Sequence, residues 1–169
     1  MNPWPDLRPI LKGIKWVIVG GVATRAYMPE RMTKDLDILN HQNDKDTVLS
    51  QLHQAGYQIL EPLAIPGYAL ISPDGTEVDL LLGADAWLTD ALNGPIQDAA
   101  GYPVISLPYL ILLKMGAQRT QDWADVSRML GLASDEDLDK VRAAVLRFTP
   151  NDSEDLESLI FIGKQENKS

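Results

Sequence analysis

Residues 17–39 read VIVGGVATRAYMPERMTKDLDIL, and each of the two apolar runs there has something costly set into it. The run Trp16 to Val19 ends in the pair Gly20-Gly21. The run Leu36-Ile38-Leu39 is interrupted by the carboxylates Asp35 and Asp37. The first run predicts a β-branched strand that turns tightly into a brief helix over residues 22–27, stopped by Pro29. The second predicts a strand on which i and i+2 side chains, Asp35 and Asp37, stand on the same face. Like charges side by side on a half-buried strand repel one another and resist desolvation, so a structural motive is hard to find. A cation held between them would supply one.

Outward from this stretch, strands and helices alternate. Residues 44–55 (DKDTVLSQLHQA) place Val48, Leu49 and Leu52 at helical spacing, with acidic residues early and Gly56 as a stop. Residues 57–60, 68–72 and 77–82 are strand candidates. The last two are joined by Pro73-Asp74-Gly75-Thr76, a turn with glycine where positive φ is needed, which predicts a hairpin. Beyond Gly83 a helix over 84–92 and a weaker hairpin or loop over 96–105 are expected. From Ser106 helical patterns dominate: Ser106 is an expected N-cap for 109–117, Thr120 for 122–130, and Ser134, with Asp137 three residues on, for 138–148. Pro150 closes the last of these, 154–162 adds one more, and 163–169 forms a polar, frayed tail. The expected fold class is α/β (α+β): a small mixed β-sheet flanked by helices over 1–105, followed by a C-terminal helical region over 106–169 packed on it, one compact domain overall.

The whole chain narrows the function. Its 169 residues, 45% hydrophobic, suffice for one core. It has no apolar run near the length of a membrane span, and Met1-Asn2-Pro3-Trp4-Pro5-Asp6 lacks the basic start and apolar middle of a signal peptide, so a cytoplasmic protein without a membrane partner is expected. The absence of cysteine excludes disulfide frameworks, thiolate zinc sites and thiol nucleophiles. A net charge of −9 argues against an extended grip on nucleic acid. Lys114, Arg119, Arg128, Arg142 and Arg147 are the basic footing available to an RNA acceptor.

Asp79 sits in a third apolar strand, Val78-Asp79-Leu80-Leu81-Leu82, and completes an acidic trio if that strand lies beside the one carrying Asp35 and Asp37. Three carboxylates suit Mg²⁺ or Mn²⁺, which prefer oxygen ligands and share their shell with substrate phosphates. A glycine pair between strand and helix lets backbone amides approach phosphate oxygens, so Gly20, Gly21 and the trio could share one ligand, a metal-bound nucleotide. Most glycine pairs are plain turns, whereas a D-x-D among neighbours this apolar is hard to explain as an exposed edge. His41 and His53 have no second ligand at metal spacing and receive no role. Trp4, Trp16, Trp87 and Trp123 are most simply packing residues.

Gly20-Gly21-x-Ala23, then Arg31-x-Thr33-x-Asp35-x-Asp37-Ile38, then Asp79, resembles the polymerase-β-type nucleotidyltransferase superfamily. Leu110, Lys114, Ala117, Arg119, Asp122 and Asp125 resemble the helix-turn-helix of its AbiEii-like, toxin-related branch. The resemblance spans about residues 15–130. It implies a nucleotidyltransferase fold and a metal-dependent transfer of a nucleoside monophosphate from a nucleoside triphosphate to a hydroxyl of RNA, protein or a small molecule. It further implies a toxin role with a cognate antitoxin. Asp35, Asp37 and Asp79 would be catalytic and hold Mg²⁺ (or Mn²⁺); Gly20 and Gly21 would form the phosphate turn; Lys114 would touch the triphosphate with Asp122 nearby. Arg31 either touches phosphate or braces the loop, Lys114 is otherwise a snorkelling surface lysine, and Arg119, Asp122 and Asp125 are otherwise an ion-pair network. The alternative to an enzyme is a non-catalytic nucleotide-binding or protein-interaction member of the same fold.

Overall fold

A computed structural model describes residues 4–169, which divide into two compact units: the chain up to Ala23 with Arg31–Ile105, and Thr24–Glu30 with Ser106–Ser169. The first unit is built on a seven-stranded mixed sheet. Its strands are β1 (Trp16–Val19), β2 (Asp35–His41), β3 (Gln58–Pro62), β4 (Gly67–Ile71), β5 (Glu77–Gly83), β6 (Ile96–Gln97) and β7 (Pro103–Val104), in the spatial order β3-β4-β5-β2-β1-β7-β6. β1 runs antiparallel to β2, and β2 runs parallel to β5, so the three strands carrying the glycine turn and the acidic residues are neighbours. The alternation of β2 and β5 is clean on one side: Leu36, Ile38, Val78 and Leu80 are buried on one face, while Asp35, Asp37 and Asp79 are half-buried on the other.

The expected hairpin is β4–β5, paired antiparallel from Gly67↔Leu81 to Ile71↔Glu77. Its turn is held by Ser72 and Asp74, whose side chains bond each other and accept from the Thr76 amide, while Gly75 takes φ +88°. β6 and β7 form the second, short hairpin. Helix α1 (Gly20–Thr24) follows β1 directly, and α2 (Lys45–Gln54) and α3 (Leu88–Asn93) complete this part of the chain. Val48 and Leu52 are the buried stripe of α2, as the spacing predicts. Among the bounds that differ from the sequence reading, α1 opens on the glycine pair itself and ends already at Thr24, and α3 starts only at Leu88.

The second unit holds α4 (Leu107–Ala117), α5 (Thr120–Leu132), α6 (Asp135–Phe148) and α7 (Ser153–Glu166). Ser134 caps α6 as predicted, accepting from the Asp137 amide and donating to its carboxylate. Arg119, not Thr120, occupies the N-cap position of α5; the pairing of its side chain with Asp122 holds it there, and Thr120 becomes the first helical residue. The polar end of the chain is helical to Glu166, and the reason is Gly163. It is buried against α5, where a Cβ would lie 2.8 Å from the amide nitrogen of Gly131, and one on Gly131 would lie 2.9 Å from the Gly163 Cα. Two glycines let the helix backbones touch, a packing device that periodicity does not reveal.

Candidate functional site

The parallel register places Asp37 beside Asp79 and Asp35 beside Glu77. Asp35, Asp37 and Asp79 each offer a carboxylate oxygen such that the three atoms lie within 4.8 Å of one another. The hydrophobic face behind them fixes this register, because a slip by one residue would turn Leu36 and Ile38 outward. Burial, then the Asp35 charge and then Glu77 push the Asp79 carboxyl above its ordinary pKa. Hard oxygen donors alone, gathered at this spacing, fit Mg²⁺ or Mn²⁺ and do not fit a soft or nitrogen-preferring metal.

Gly20 and Gly21 stand where β1 ends beside Asp37, since Val19 is the register partner of that residue. Gly20 takes φ +65°, which L side chains rarely adopt, and any Cβ there would overlap the Asp37 carboxylate. Gly21 faces the loop before β2: its Cβ would overlap the Thr33 methyl and lie 3.4 Å from Nη2 of Arg31. Arg31 thus stands at the glycine turn. Thr33 packs on it, with its hydroxyl 3.4 Å from the Arg31 carbonyl.

Lys114 and Asp122 lie in the helical unit and meet there. Lys114 is no snorkelling surface residue: it is 5% exposed and donates to Asp122 Oδ1 at 3.0 Å and to Asp125 Oδ2 at 3.1 Å. Arg119 reaches in from the surface to Asp122 at 2.7 Å. Burial alone would raise the Asp122 carboxyl, but hydrogen bonds from Arg119 and Lys114 outweigh it and hold the pKa below the usual range. Asp125, which the sequence leaves among ordinary ion pairs, is as buried as Asp122 and equally bonded to Lys114. Two residues of the wider basic footing are engaged elsewhere: Arg142 donates to Glu157 at 2.6 and 3.2 Å, and the Arg147 guanidinium lies 4.7 Å from the centre of the Phe148 ring. His41 serves its own backbone, accepting from the Asn43 amide.

No protein-family model and no curated protein matches the chain. Among solved structures it is similar to a Thermotoga maritima protein proposed to be a nucleotidyltransferase, at 17% identity and TM-score 0.49 over 73% of this chain and 89% of that one. It is also similar to the antibiotic-resistance factor ANT(2'')-Ia, at 16% identity and TM-score 0.47 over 93% of this chain and 85% of that one. A third is the lincosamide antibiotic adenylyltransferase LnuA with lincomycin bound, at 16% identity and TM-score 0.46 over 71% and 88%. At such identities and TM-scores the likeness carries no functional assignment, which falls to the residues of this chain. No helix among the described residues is long and apolar enough to cross a membrane.

Proposed function

We propose that the protein is a divalent-metal-dependent nucleotidyltransferase of the polymerase-β type, moving a nucleoside monophosphate from a nucleoside triphosphate to a hydroxyl acceptor, a reaction of EC class 2.7.7. The observation that carries this reading is the meeting of Asp35, Asp37 and Asp79 on one face of two parallel strands, beside a glycine turn whose first residue leaves room for Asp37. Asp35, Asp37 and Asp79 would hold Mg²⁺ or Mn²⁺, which when bound supplies charge stabilisation at phosphoryl oxygens. Gly20 and Gly21 give a phosphate access to backbone amides, and Arg31 offers it a guanidinium. The Asp79 carboxylate would take the proton of the acceptor hydroxyl. The acceptor oxygen then bonds to the α-phosphorus as the bond to the β-phosphate breaks, and pyrophosphate leaves.

The resemblance in the helical unit adds Lys114 and Asp122 to the nucleotide-binding set. An ammonium has three N–H donors, and with two given to Asp122 and Asp125 the third is the one this role would direct to a phosphate oxygen. The same motif supports a place in the AbiEii-like branch, and with it a cytoplasmic toxin restrained by a cognate antitoxin. The acceptor is RNA, a protein or a small molecule.

The test is incubation of the purified protein with each labelled nucleoside triphosphate, Mg²⁺ or Mn²⁺ and cell extract, followed by separation of RNA, protein and small-molecule fractions. Label should enter one fraction and disappear with Asp79→Asn. Binding of nucleotide without transfer in any fraction would favour the non-catalytic member. Transfer that survives loss of Asp79 would remove it from the reaction.

A further inference from the structure

Two adjacent glycines are usually read as one phosphate turn, but here their missing side chains face different neighbours. A Cβ on Gly20 would overlap Asp37 Oδ2 and lie 2.7 Å from its Cγ and 3.0 Å from its Cβ. On Gly21 it would overlap the Thr33 methyl and stand 3.4 Å from Arg31 Nη2 and 3.3 Å from Thr33 Oγ1, so its three nearest neighbours all belong to the loop before β2. We infer that the pair has divided duties: Gly20 is a positioning residue for the metal-ligating carboxylate of Asp37, and Gly21 seats the Arg31–Thr33 loop. The inference rests on the metal reading given above. It follows from which atom must yield. Opposite Gly20 the hard overlap is with the end of one flexible side chain, which can swing about χ1, and the Asp37 Cβ at 3.0 Å asks a shift of only a few tenths of an ångström, so the fold tolerates the added methyl while the carboxylate leaves its place. The register of β2 is fixed by Leu36 and Ile38 on the buried face, so Asp37 has no alternative but to rotate.

The experiment measures Mn²⁺ affinity without nucleotide, by electron paramagnetic resonance of the free ion, together with thermal unfolding of the metal-free protein. Gly20→Ala should weaken Mn²⁺ binding by at least about tenfold, the scale seen when a partner that orients a ligand is lost, and Gly21→Ala by less than about threefold. The left-handed φ of Gly20 also disfavours alanine, so the decisive comparison is a double-mutant cycle: the fall in Tm caused by Gly20→Ala should shrink clearly in an Asp37→Ala background, where the carboxylate overlap is gone and backbone strain and the 3.0 Å Cβ contact remain. If Gly20→Ala alone does not fold, recovery of folded protein on adding Asp37→Ala supports the inference, and failure of the double variant overturns it. Wild-type affinity unchanged by Gly20→Ala, or strictly additive Tm shifts, overturns the inference while leaving the metal site standing. A wild-type protein that takes up no Mn²⁺ overturns both.

Discussion

The chain gathers carboxylates twice in apolar surroundings, and it treats them in opposite ways. Asp35, Asp37 and Asp79 are brought together on the sheet by strand register, and burial, followed by the charges of Asp35 and Glu77, pushes Asp79 up. Asp122 and Asp125 converge on the Lys114 ammonium between α4 and α5, Arg119 adds a second cation, and Asp122 is held low. Two carboxylates with two cations are neutral without any ligand, so this cluster fastens α4 to α5 in the bare protein while Lys114 keeps one donor for the role proposed for it. Three carboxylates within 4.8 Å cost energy in the bare protein, and such a cost is retained where a ligand recovers it.

The largest expected effect separates the clusters by activity. Asp35→Asn with Asp37→Asn should lower metal-dependent transfer or nucleotide binding by more than roughly 100-fold, beyond what loss of an outer partner costs, while the metal-free Tm stays level or rises as repulsion is relieved. Transfer kinetics and a melting curve on the same preparation check both halves. An unfolded double variant would mean that the trio holds the sheet together and that the contrast is wrong.

Lys114→Met should do the reverse. It strands Asp122 and Asp125 in a buried setting, and breaking a buried pair from one side costs about 3–5 kcal/mol, which for a chain of this size lowers Tm by roughly 6–20 °C. Differential scanning calorimetry gives the number. If Tm barely moves while triphosphate binding falls and monophosphate binding does not, Lys114 belongs with the substrate rather than with the fastening cluster.

Why was one cluster easier to foresee than the other? The alternation in Leu36-Asp37-Ile38 and Val78-Asp79-Leu80 gives the face of each carboxylate, and the run of strands puts Asp79 within reach of β2, so the trio was legible as soon as β5 was expected beside it. The apolar run also gives β1, the turn Pro73-Asp74-Gly75-Thr76 the β4–β5 hairpin, and the spacing of Ser134 to Asp137 the cap of α6. Such local patterns could not give what depends on contact across the fold. Lys114 in an apolar helix looks the same whether it reaches water or two buried aspartates, and a glycine shows that space is needed without showing what fills it. Gly20 against Asp37 and Gly131 against Gly163 are both of this kind, which is also why the end of α7 looked like a frayed tail. The helical unit gives a smaller test of the same point. Gly163→Ala puts a methyl against the α5 backbone and should cost about 1–3 kcal/mol with transfer unaffected once folded, measured by urea unfolding. No loss of stability would mean that α5 and α7 do not cross as closely as described.

The smallest effect is the most direct reading of the opposite shifts, because pH should move the two clusters in opposite senses. Asp122 is held below the ordinary carboxylate range, so the stability it contributes is present above that range and is lost as pH falls through its folded pKa. Asp79 is held above it, so the unfolded chain gives up that proton first as pH rises; the folded state is favoured below the ordinary range, and that advantage is lost as pH climbs through the folded pKa. Asp79→Asn should therefore raise the metal-free Tm by a few degrees at pH 7 and leave it nearly unchanged at pH 3, whereas Asp122→Asn should lower Tm at pH 7 and matter less in acid. Saturating Mg²⁺ should erase the gain from Asp79→Asn at pH 7, because the bound cation stabilises the wild-type carboxylate and not the amide. Melting curves of wild type and both variants from pH 3 to 8, with and without Mg²⁺, check this. Parallel rather than opposed profiles would mean that the two clusters are electrostatically alike and that neither is built for a ligand.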